Sequence, residues 1–200
     1  AAMVVVVGLV LVHVVAAPPL LVMRARSMVA VNRILDRADA GIPSDPSVAD
    51  KTVILVNPPN DAFAGYVLLM REARHQVRPR RLYWLATGTA PLTLTRLDDR
   101  TLRVAPAGGF LRHEIDQMLR TPQRPFAAGE RIALTGLMIE IETVERGRPI
   151  TVLARFDRPL EDPQLVWRRW EERTYGSYRI PQIGETVTLP AADLQKLLEE

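Results

Sequence analysis

The chain has 200 residues and a mass of 22.4 kDa, which fits one ordinary domain or a smaller domain with an appendage. Its 26 Lys and Arg residues exceed its 23 Asp and Glu residues by only three, which excludes a polybasic nucleic-acid tail and an acidic disordered tail. The sequence contains no cysteine, so disulfides, thiol nucleophiles and cysteine-ligated zinc are excluded. Composition therefore restricts the class of protein without indicating a reaction.

The first 23 residues contain no Asp, Glu, Lys or Arg. A helix needs about 20 predominantly apolar residues to cross the hydrocarbon core of a bilayer, so this stretch predicts a transmembrane helix over residues 1–23. A buried strand and a secretory signal peptide are the alternatives, but strands seldom exceed about 10 residues and no basic segment precedes the apolar run. We expect Pro18 and Pro19 to kink or end the helix, and the helix to be the last one of a longer membrane protein.

Basic residues follow the apolar stretch at once. We expect Arg24, Arg26 and Arg33 to lie at the membrane interface, where they can meet the anionic head groups of the lipid bilayer. Because cytoplasmic flanks of membrane helices carry an excess of Lys and Arg, the soluble part is expected in the cytoplasm, at a bacterial inner membrane.

Residues 24–50 are predicted to form an amphipathic juxtamembrane helix and a linker. Four apolar residues recur there at helical spacing: Met28, Val31, Leu35 and Ala38. Gly41 stands where a helix C-cap belongs, and the Gly, Pro, Ser and Asp residues after it indicate the linker. A helix on the membrane surface and a helix docked on the soluble domain explain this pattern equally well.

Residues 51–200 are predicted to form a soluble α+β domain. A strand over residues 52–56, a helix over 61–76 and a strand over 81–86 indicate a βαβ unit, because the strands are continuous apolar runs typical of strands covered on both faces. One side of the helix is expected to carry Phe63, Val67, Met70 and Arg74.

The rest of the domain is predicted to be rich in β-hairpins. The predicted elements are hairpins over residues 92–104, 137–156 and 165–180, strands over 130–135 and 185–189, and helices over 110–120 and 191–198. Across the second hairpin, Arg155 is expected to pair with Glu140 or Glu142. We divide the domain into a half at 51–121 and a β-rich half at 126–200, and expect the hairpins to form a roll or a barrel-like sheet.

The loop Asn57-Pro58-Pro59-Asn60 is the most suggestive candidate site. A loop that follows the C-terminal end of a strand and opens a helix is the usual ligand position in open α/β sheets, which gives Asn57, Asn60 and Asp61 as candidate ligand-binding residues. The structural alternative is that Asn57 caps the strand while Asn60 or Asp61 caps the helix. The string resembles the Asn-Pro-Pro-aromatic motif that holds the target amine in amino-methyltransferases, although Asn60 replaces the aromatic residue.

The other polar residues predict neither a metal site nor a cofactor. The three histidines, His13, His75 and His113, show no spacing typical of metal ligands or of a catalytic triad. Trp167 and Trp170 flank two arginines, a composition found in nucleic-acid and membrane-interface patches. On a strand, however, residues three apart face opposite ways, so we expect both tryptophans to pack in the protein and no nucleic acid to bind.

A resemblance to a known class of proteins rests on four stretches of the soluble part: VILVNPPNDAF, PLTLTRLDDRTLRVAPAGGFL, PFAAGERIALTGLMIEIETVERGRPITVLARFDRPLEDP and PQIGETVTLP. They resemble the C-terminal extramembrane region of uncharacterised multi-spanning bacterial membrane proteins. The resemblance covers most of the chain and implies a last spanning helix followed by a soluble domain, with the preceding part of the same protein as partner. It implies no reaction and no catalytic residue.

Two functions are consistent with the sequence. The first is a membrane-tethered, non-catalytic domain that serves interaction, assembly or regulation within a larger integral membrane protein. The second is an enzyme or small-ligand-binding domain that uses the loop at residues 57–61, with Asn57, Asp61 and His75 near the ligand. A concave pocket at the loop favours the second function, whereas a loop packed shut favours the first.

Overall fold

The N-terminal part of the protein is one long helical rod. The computed structural model describes residues 2–112, 116, 120, 123–193 and 196. Helix α1 (Ala2–Val10) passes through a π-helical turn (Leu11–Ala16) directly into helix α2 (Ala17–Ala40). Of the two outcomes expected at Pro18 and Pro19, an end of the helix is wrong. The prolines lack N–H groups and crowd the carbonyls before them, and the wider π-helical turn stands immediately before the proline pair.

The C-terminal end of α2 is part of the folded domain. Ile34, Leu35 and Ala38 are buried there, and Gly41 caps the helix. A Cβ atom on Gly41 would lie 2.5 Å from the backbone N and O atoms of Tyr175, so glycine is required for close approach, and its φ of −77° is ordinary. Within residues 24–50 the docking is limited to these last turns, since Val31 of the same predicted stripe is exposed, and a short 3-10 helix (Pro46–Asp50) follows.

A four-stranded sheet forms the middle layer of the domain. Its strands are β1 (Thr52–Leu55), β2 (Arg81–Trp84), β8 (Leu165–Glu171) and β9 (Thr174–Ser177), in the order β2-β1-β8-β9. Strand β1 pairs in parallel with both β2 and β8, and β9 pairs antiparallel with β8. Helix α3 (Asp61–Ala73) joins β1 to β2, which confirms the βαβ unit. The β1–β8 pairing also joins the two halves of the domain within one sheet.

A six-stranded antiparallel sheet forms the outer layer. Its strands are β3 (Leu92–Arg96), β4 (Thr101–Pro106), β5 (Arg131–Leu134), β6 (Leu137–Glu145), β7 (Arg148–Phe156) and β10 (Thr186–Leu189). They follow the order β10-β3-β4-β7-β6-β5, so the predicted hairpins are confirmed. Strands β10 and β5 lie at the two opposite edges, so this sheet is open and does not close into a barrel. The fold is α+β, as predicted.

Two apolar cores hold the three layers together. The larger core lies between the sheets and includes Ile54 and Trp167 from the middle layer. The smaller core lies between the middle layer and the helices, and includes Val53 and Leu55. Successive residues of β1 therefore face different cores, which explains why its sequence is a continuous apolar run instead of an alternating one.

The buried face of α3 differs from the predicted one. Ala64, Val67 and Arg71 are buried, whereas Tyr66 is 53% exposed and Arg74 is also exposed. Of the predicted side, Val67 is buried and Phe63 and Met70 are half-buried, but Arg74 is not part of the buried face. The buried arginine is Arg71, three residues earlier, because its guanidinium is hydrogen-bonded within the protein. The helix also ends at Ala73, three residues before the predicted end.

Two predicted helices fall partly outside the described residues. In the segment at 110–120, Phe110, Leu111 and Arg112 are not helical, Asp116 has 3-10 conformation, and residues 113–115 and 117–119 lie outside the description. In the segment at 191–198, residues 191–193 are not helical, Lys196 is helical, and 194, 195, 197 and 198 lie outside it.

Candidate functional site

Asn57 is used by the protein itself. Its side chain is buried, and its Oδ1 atom accepts a hydrogen bond of 2.9 Å from the backbone N–H of Trp170. One residue earlier, the N–H of Val56 donates to the carbonyl of Arg168. The Asn57 side chain thus continues the β1–β8 hydrogen-bond ladder at the point where the β1 backbone turns away.

Asn60 and Asp61 fix the start of α3. Asn60 is the N-cap, with its Oδ1 atom accepting from the Phe63 N–H at 3.2 Å. Asp61 Oδ1 accepts from the indole N–H of Trp84 at 2.9 Å, which joins the first turn of the helix to the end of β2. The structural alternative is therefore found at Asn57 and Asn60, and Asp61 makes a different contact, with Trp84.

The backbone around Gly88 also covers the loop at residues 57–60. The N–H of Gly88 donates to the carbonyl of Pro58 at 2.6 Å, and a Cβ atom on Gly88 would lie 2.8 Å from the Asn57 carbonyl oxygen. Only a residue without a side chain can approach the Asn57–Pro58 backbone this closely. The segment after β2 therefore packs directly on the strand-end loop.

A cleft of about 360 Å³ lies beside Asp61. Its walls include Asp61, Trp84, Leu85, Thr87, Phe110 and Arg112. Two of its polar side chains are already bonded to protein, since Arg112 donates to the Ala107 carbonyl and the Thr87 hydroxyl lies 3.3 Å from that of Thr89. Asn57 lines a different cleft, next to Trp170 and Lys196. The loop residues are therefore neighbours in sequence that do not converge on one pocket.

The two described histidines, His13 and His75, are separate from the loop, and His113 lies outside the described residues. His75 follows the C-terminal end of α3, whereas Asp61 begins the helix, so the two lie about 20 Å apart at 1.5 Å per residue. The hypothesis that His75 shares a ligand with Asn57 and Asp61 is therefore wrong. His13 lies in the π-helical turn, where its Nδ1 atom is 3.0 Å from the carbonyl oxygen of Leu9. Within the described part of the chain, no cluster of His, Asp and Glu side chains is placed to hold a metal ion.

The two tryptophans near β8 confirm the packing interpretation. Trp167 lies in the core between the sheets, where its indole N–H donates to the Leu160 carbonyl at 2.8 Å. Trp170 lies in the core on the helix side, with ring centroids 6.0 Å from Phe63 and 4.9 Å from Tyr175. They occupy opposite faces of the sheet and form no common stacking platform.

Arg71 is the central residue of the helix junction, and sequence reasoning missed it. Its side chain is 1% exposed and forms a buried ion pair with Asp39 of α2. It also donates to the carbonyls of Asp39, Ile42, Pro43 and Val77, at distances of 2.7 to 3.1 Å. An arginine at i+7 from Ala64 and i+4 from Val67, in the middle of an apolar stripe, is the sequence signal that indicates such a buried cation.

The N-terminal part of the helical rod, which precedes the helix junction, is apolar and is not covered by the rest of the protein. Met3–Ala25 is long and apolar enough to cross a membrane, and none of it is buried within the protein. Arg24 lies at the C-terminal end of this segment and Arg33 follows it on α2; both are exposed, and Arg26 belongs to the same helix. The three expected interface residues are thus carried by the part of α2 that joins the apolar segment to the domain.

Comparisons with known proteins give this chain no relative. No protein-family model matches it, and neither the curated proteins nor the solved structures include a match.

Proposed function

We propose that this protein is a membrane-tethered domain that serves interaction, assembly or regulation within a larger integral membrane protein. The uncovered apolar helix at Met3–Ala25 carries the proposal. Side chains such as Val4 (76% exposed) and Leu21 (65% exposed) face solvent all around this helix. Soluble proteins rarely expose an apolar surface of this extent, whereas a bilayer covers it and favours the helix, because each backbone N–H and C=O is bonded within it.

The connection between the apolar helix and the domain favours a tether that orients the domain over a flexible one. Helix α2 is continuous from Ala17 to Ala40, and its last turns are buried against α3 and the middle sheet. A flexible linker would let the domain rotate freely, but a continuous helix transmits position and orientation. We propose that the helix restricts the domain to a narrow range of heights and angles above the bilayer, so that a surface of the domain is presented to a partner in an assembly.

The arginines on α2 support an orientation. Arg24, Arg26 and Arg33 follow the uncharged residues 1–23, and such residues are enriched on cytoplasmic flanks. We propose the bacterial inner membrane as the location and the cytoplasm as the side that holds the domain.

The cysteine-free sequence allows a direct test. Single cysteines are introduced into the full chain, Val10→Cys in the apolar helix and Glu145→Cys in the β6–β7 turn, and the protein is expressed in bacteria. Membrane flotation is combined with labelling by a membrane-impermeant maleimide. We expect both variants to float with membranes. In intact spheroplasts neither should react, and after lysis only Glu145→Cys should react.

The matched control places charge in the same helix. Val7→Arg combined with Leu11→Arg costs about 2.5–3.5 kcal/mol per residue at the centre of a spanning helix, so this variant should leave the membrane fraction. The proposal fails if the unmodified chain stays in the soluble fraction after sodium carbonate extraction, or if Val10→Cys reacts as fast as Glu145→Cys.

The cleft beside Asp61 supports a second candidate function, the binding of a small ligand. Its walls include Trp84, which is 40% exposed and held by Asp61. Mass spectrometry of the purified full chain under native conditions tests this: a bound small molecule that is lost in the Trp84→Ala variant would favour ligand binding over a purely structural role.

A further inference from the structure

The two ion pairs between α2 and α3 give the direction of α3 relative to the membrane segment. Arg71 pairs with Asp39, and Arg74, one turn later, pairs with Asp36 at 2.6 Å. Moving toward the C-terminus of α3 therefore means moving toward the N-terminus of α2. Because the apolar segment is the N-terminal part of the same rod, the loop after α3 lies on the side of the domain from which that segment emerges.

This loop, at residues 74–81, is strongly basic. It contains Arg74, Arg78, Arg80 and Arg81 together with His75, and no acidic residue. With Glu72 included, its net charge is +3 with histidine neutral. Residues 74–76, 78 and 80 are exposed. We call residues 74–81 the basic loop.

The basic loop is held in place by the junction. The backbone of Gln76 donates to the Arg71 carbonyl at 2.9 Å, and the Arg71 guanidinium donates to the Val77 carbonyl at 2.9 Å. At its other end, the Arg81 N–H donates to the Lys51 carbonyl, which ties the loop to the residue before β1. The guanidinium that fixes α2 thus also fixes the loop.

Much of this positive charge is available to a partner. Arg74 and Arg78 form exposed ion pairs with Asp36 and Glu72, whereas Arg80 and Arg81 have no carboxylate partner among the residues that the structure describes. Acidic residues of the nearby β7–β8 connection are already paired. Those pairs are Glu161 with Arg96, and Asp157 and Asp162 with Arg158.

The distance to the membrane suits an electrostatic contact. Between Ala25, where the apolar segment ends, and Ile34, where the helix becomes buried, α2 spans about 14 Å at 1.5 Å per residue. Lipid head groups occupy about 5–7 Å of that distance. The remaining gap is within about one Debye length at physiological salt, and each Lys or Arg near an anionic membrane surface contributes about 1 kcal/mol.

We propose that the basic loop binds anionic phospholipid head groups of the membrane that the helix spans, as a second contact that holds the domain down on the bilayer. The proposal rests on the membrane anchoring proposed above. It adds a recognition surface on a different element from the α2 arginines, and it makes the position of the domain depend on the lipid charge.

The test uses the full chain reconstituted in vesicles. Gln76→Cys is labelled with the environment-sensitive fluorophore NBD, in vesicles of phosphatidylcholine and in vesicles of equal parts phosphatidylcholine and phosphatidylglycerol. We expect flotation with both kinds of vesicle, and a blue-shifted, brighter NBD emission only with the anionic lipid. About 1 M salt, at which the Debye length is about 3 Å, should remove the shift. NBD at Glu145→Cys, in the turn at the far end of β6 and β7, should not respond.

Two charge-matched variants decide the origin of the shift. Arg78→Gln with Arg80→Gln should abolish it, whereas Arg124→Gln with Arg146→Gln, which removes the same charge near the β6–β7 turn, should preserve it. The lipid proposal is overturned if NBD at position 76 reports the same environment in both vesicles, or if both double variants behave alike. If the chain floats with neither kind of vesicle, it is the anchoring itself that fails.

Discussion

The Arg71 guanidinium of α3 pairs with the Asp39 carboxylate of α2 and also bonds to the carbonyls of Asp39, Ile42 and Pro43 at the end of that helix. The last carbonyls of a helix have no partner within the helix, and a cation stabilises that end of the helix dipole. One buried side chain therefore completes α2 and joins it to the domain.

Replacing Arg71 should be among the most destabilising changes in the domain. In Arg71→Met, the Asp39 carboxylate and several carbonyls lose their donors, and we expect the free energy of unfolding to fall by about 3–5 kcal/mol. Urea denaturation of the full chain in mild detergent, followed by tryptophan fluorescence, measures the change. Arg74→Met on the same helix breaks an exposed pair and should cost less than about 1 kcal/mol. Equal losses in the two variants would contradict the role assigned to Arg71.

Replacing Gly41 and Gly65 by alanine should change the free energy of unfolding in opposite directions. In Gly41→Ala the added Cβ meets backbone atoms of Tyr175 at 2.5 Å, and such overpacking costs about 1–3 kcal/mol. Gly65 lies in α3 with open space around its Cβ position, so Gly65→Ala should raise the free energy of unfolding by about 0.5–1 kcal/mol. Thermal unfolding of both variants, followed by circular dichroism, checks the two signs, and a stabilised Gly41→Ala would refute the close approach.

Removing the Asn57 side chain should lower the free energy of unfolding through the loss of one hydrogen bond. Asn57→Ala leaves the buried N–H of Trp170 without an acceptor, which costs about 1–3 kcal/mol. Asn57→Asp keeps an acceptor oxygen at that position and should retain more stability than the alanine variant at neutral pH. Denaturant titration of the three proteins ranks them. An alanine variant as stable as the parent would show that the side chain is free for another role.

Acid should weaken the domain through its paired carboxylates. The Arg96 guanidinium holds the pKa of Glu161 below its ordinary value of 4.5, and Arg120 does the same for Glu130. Since these folded-state pKa values are depressed, the stability they contribute is complete above the ordinary value and is lost as the pH falls through the folded-state value. The denaturant concentration at which half of the protein is unfolded should therefore fall when the pH is lowered below about 4.5.

The matched variants for this pH effect are Glu161→Gln and Glu145→Gln. The first removes a titrating partner of buried Arg96, so it should lower stability at neutral pH, by less than about 1 kcal/mol because the carboxylate is largely exposed, and should reduce the loss in acid. The second changes an exposed residue of the β6–β7 turn region and should follow the parent. Identical pH profiles for Glu161→Gln and the parent would exclude this pair as a source of acid sensitivity.

Much of the local structure could be predicted from the sequence, because turn residues and strand periodicity act between neighbouring residues. Arg146 and Gly147 both adopt positive φ, at 50° and 76°, as a two-residue hairpin turn requires, and the strands on either side pair as predicted. Arg155 lies 3.8 Å from Glu140 as expected, but Glu140 is 3.0 Å from Arg131, and Glu142 pairs with Arg103 at 2.6 Å. Arg131 comes from β5, which a two-residue turn joins to β6, whereas Arg103 comes from β4, whose position beside β7 no local pattern reveals.

The strand end, turn and helix cap at residues 57–61 follow the structural alternative for the loop, whereas the sequence did not indicate which distant residues surround it. Proline and asparagine chemistry sufficed to place a strand end, a turn and a helix cap at residues 57–61. The acceptor role of Asn57 depends on β8, whose Trp170 lies more than one hundred residues later in the chain. The Gly88 backbone that covers the loop likewise arrives from beyond β2.

The amino-acid sequence by itself determined the uncharged opening helix, the βαβ unit and the hairpins, because length, periodicity and turn residues act between neighbours in the chain. Only the tertiary structure decided that β1 lies between β2 and β8, that Arg71 closes the end of α2, and that the basic loop lies on the side of the domain from which the apolar helix emerges. These features depend on which distant surfaces bury one another, and a buried ion pair or a parallel strand partner leaves little trace in local periodicity.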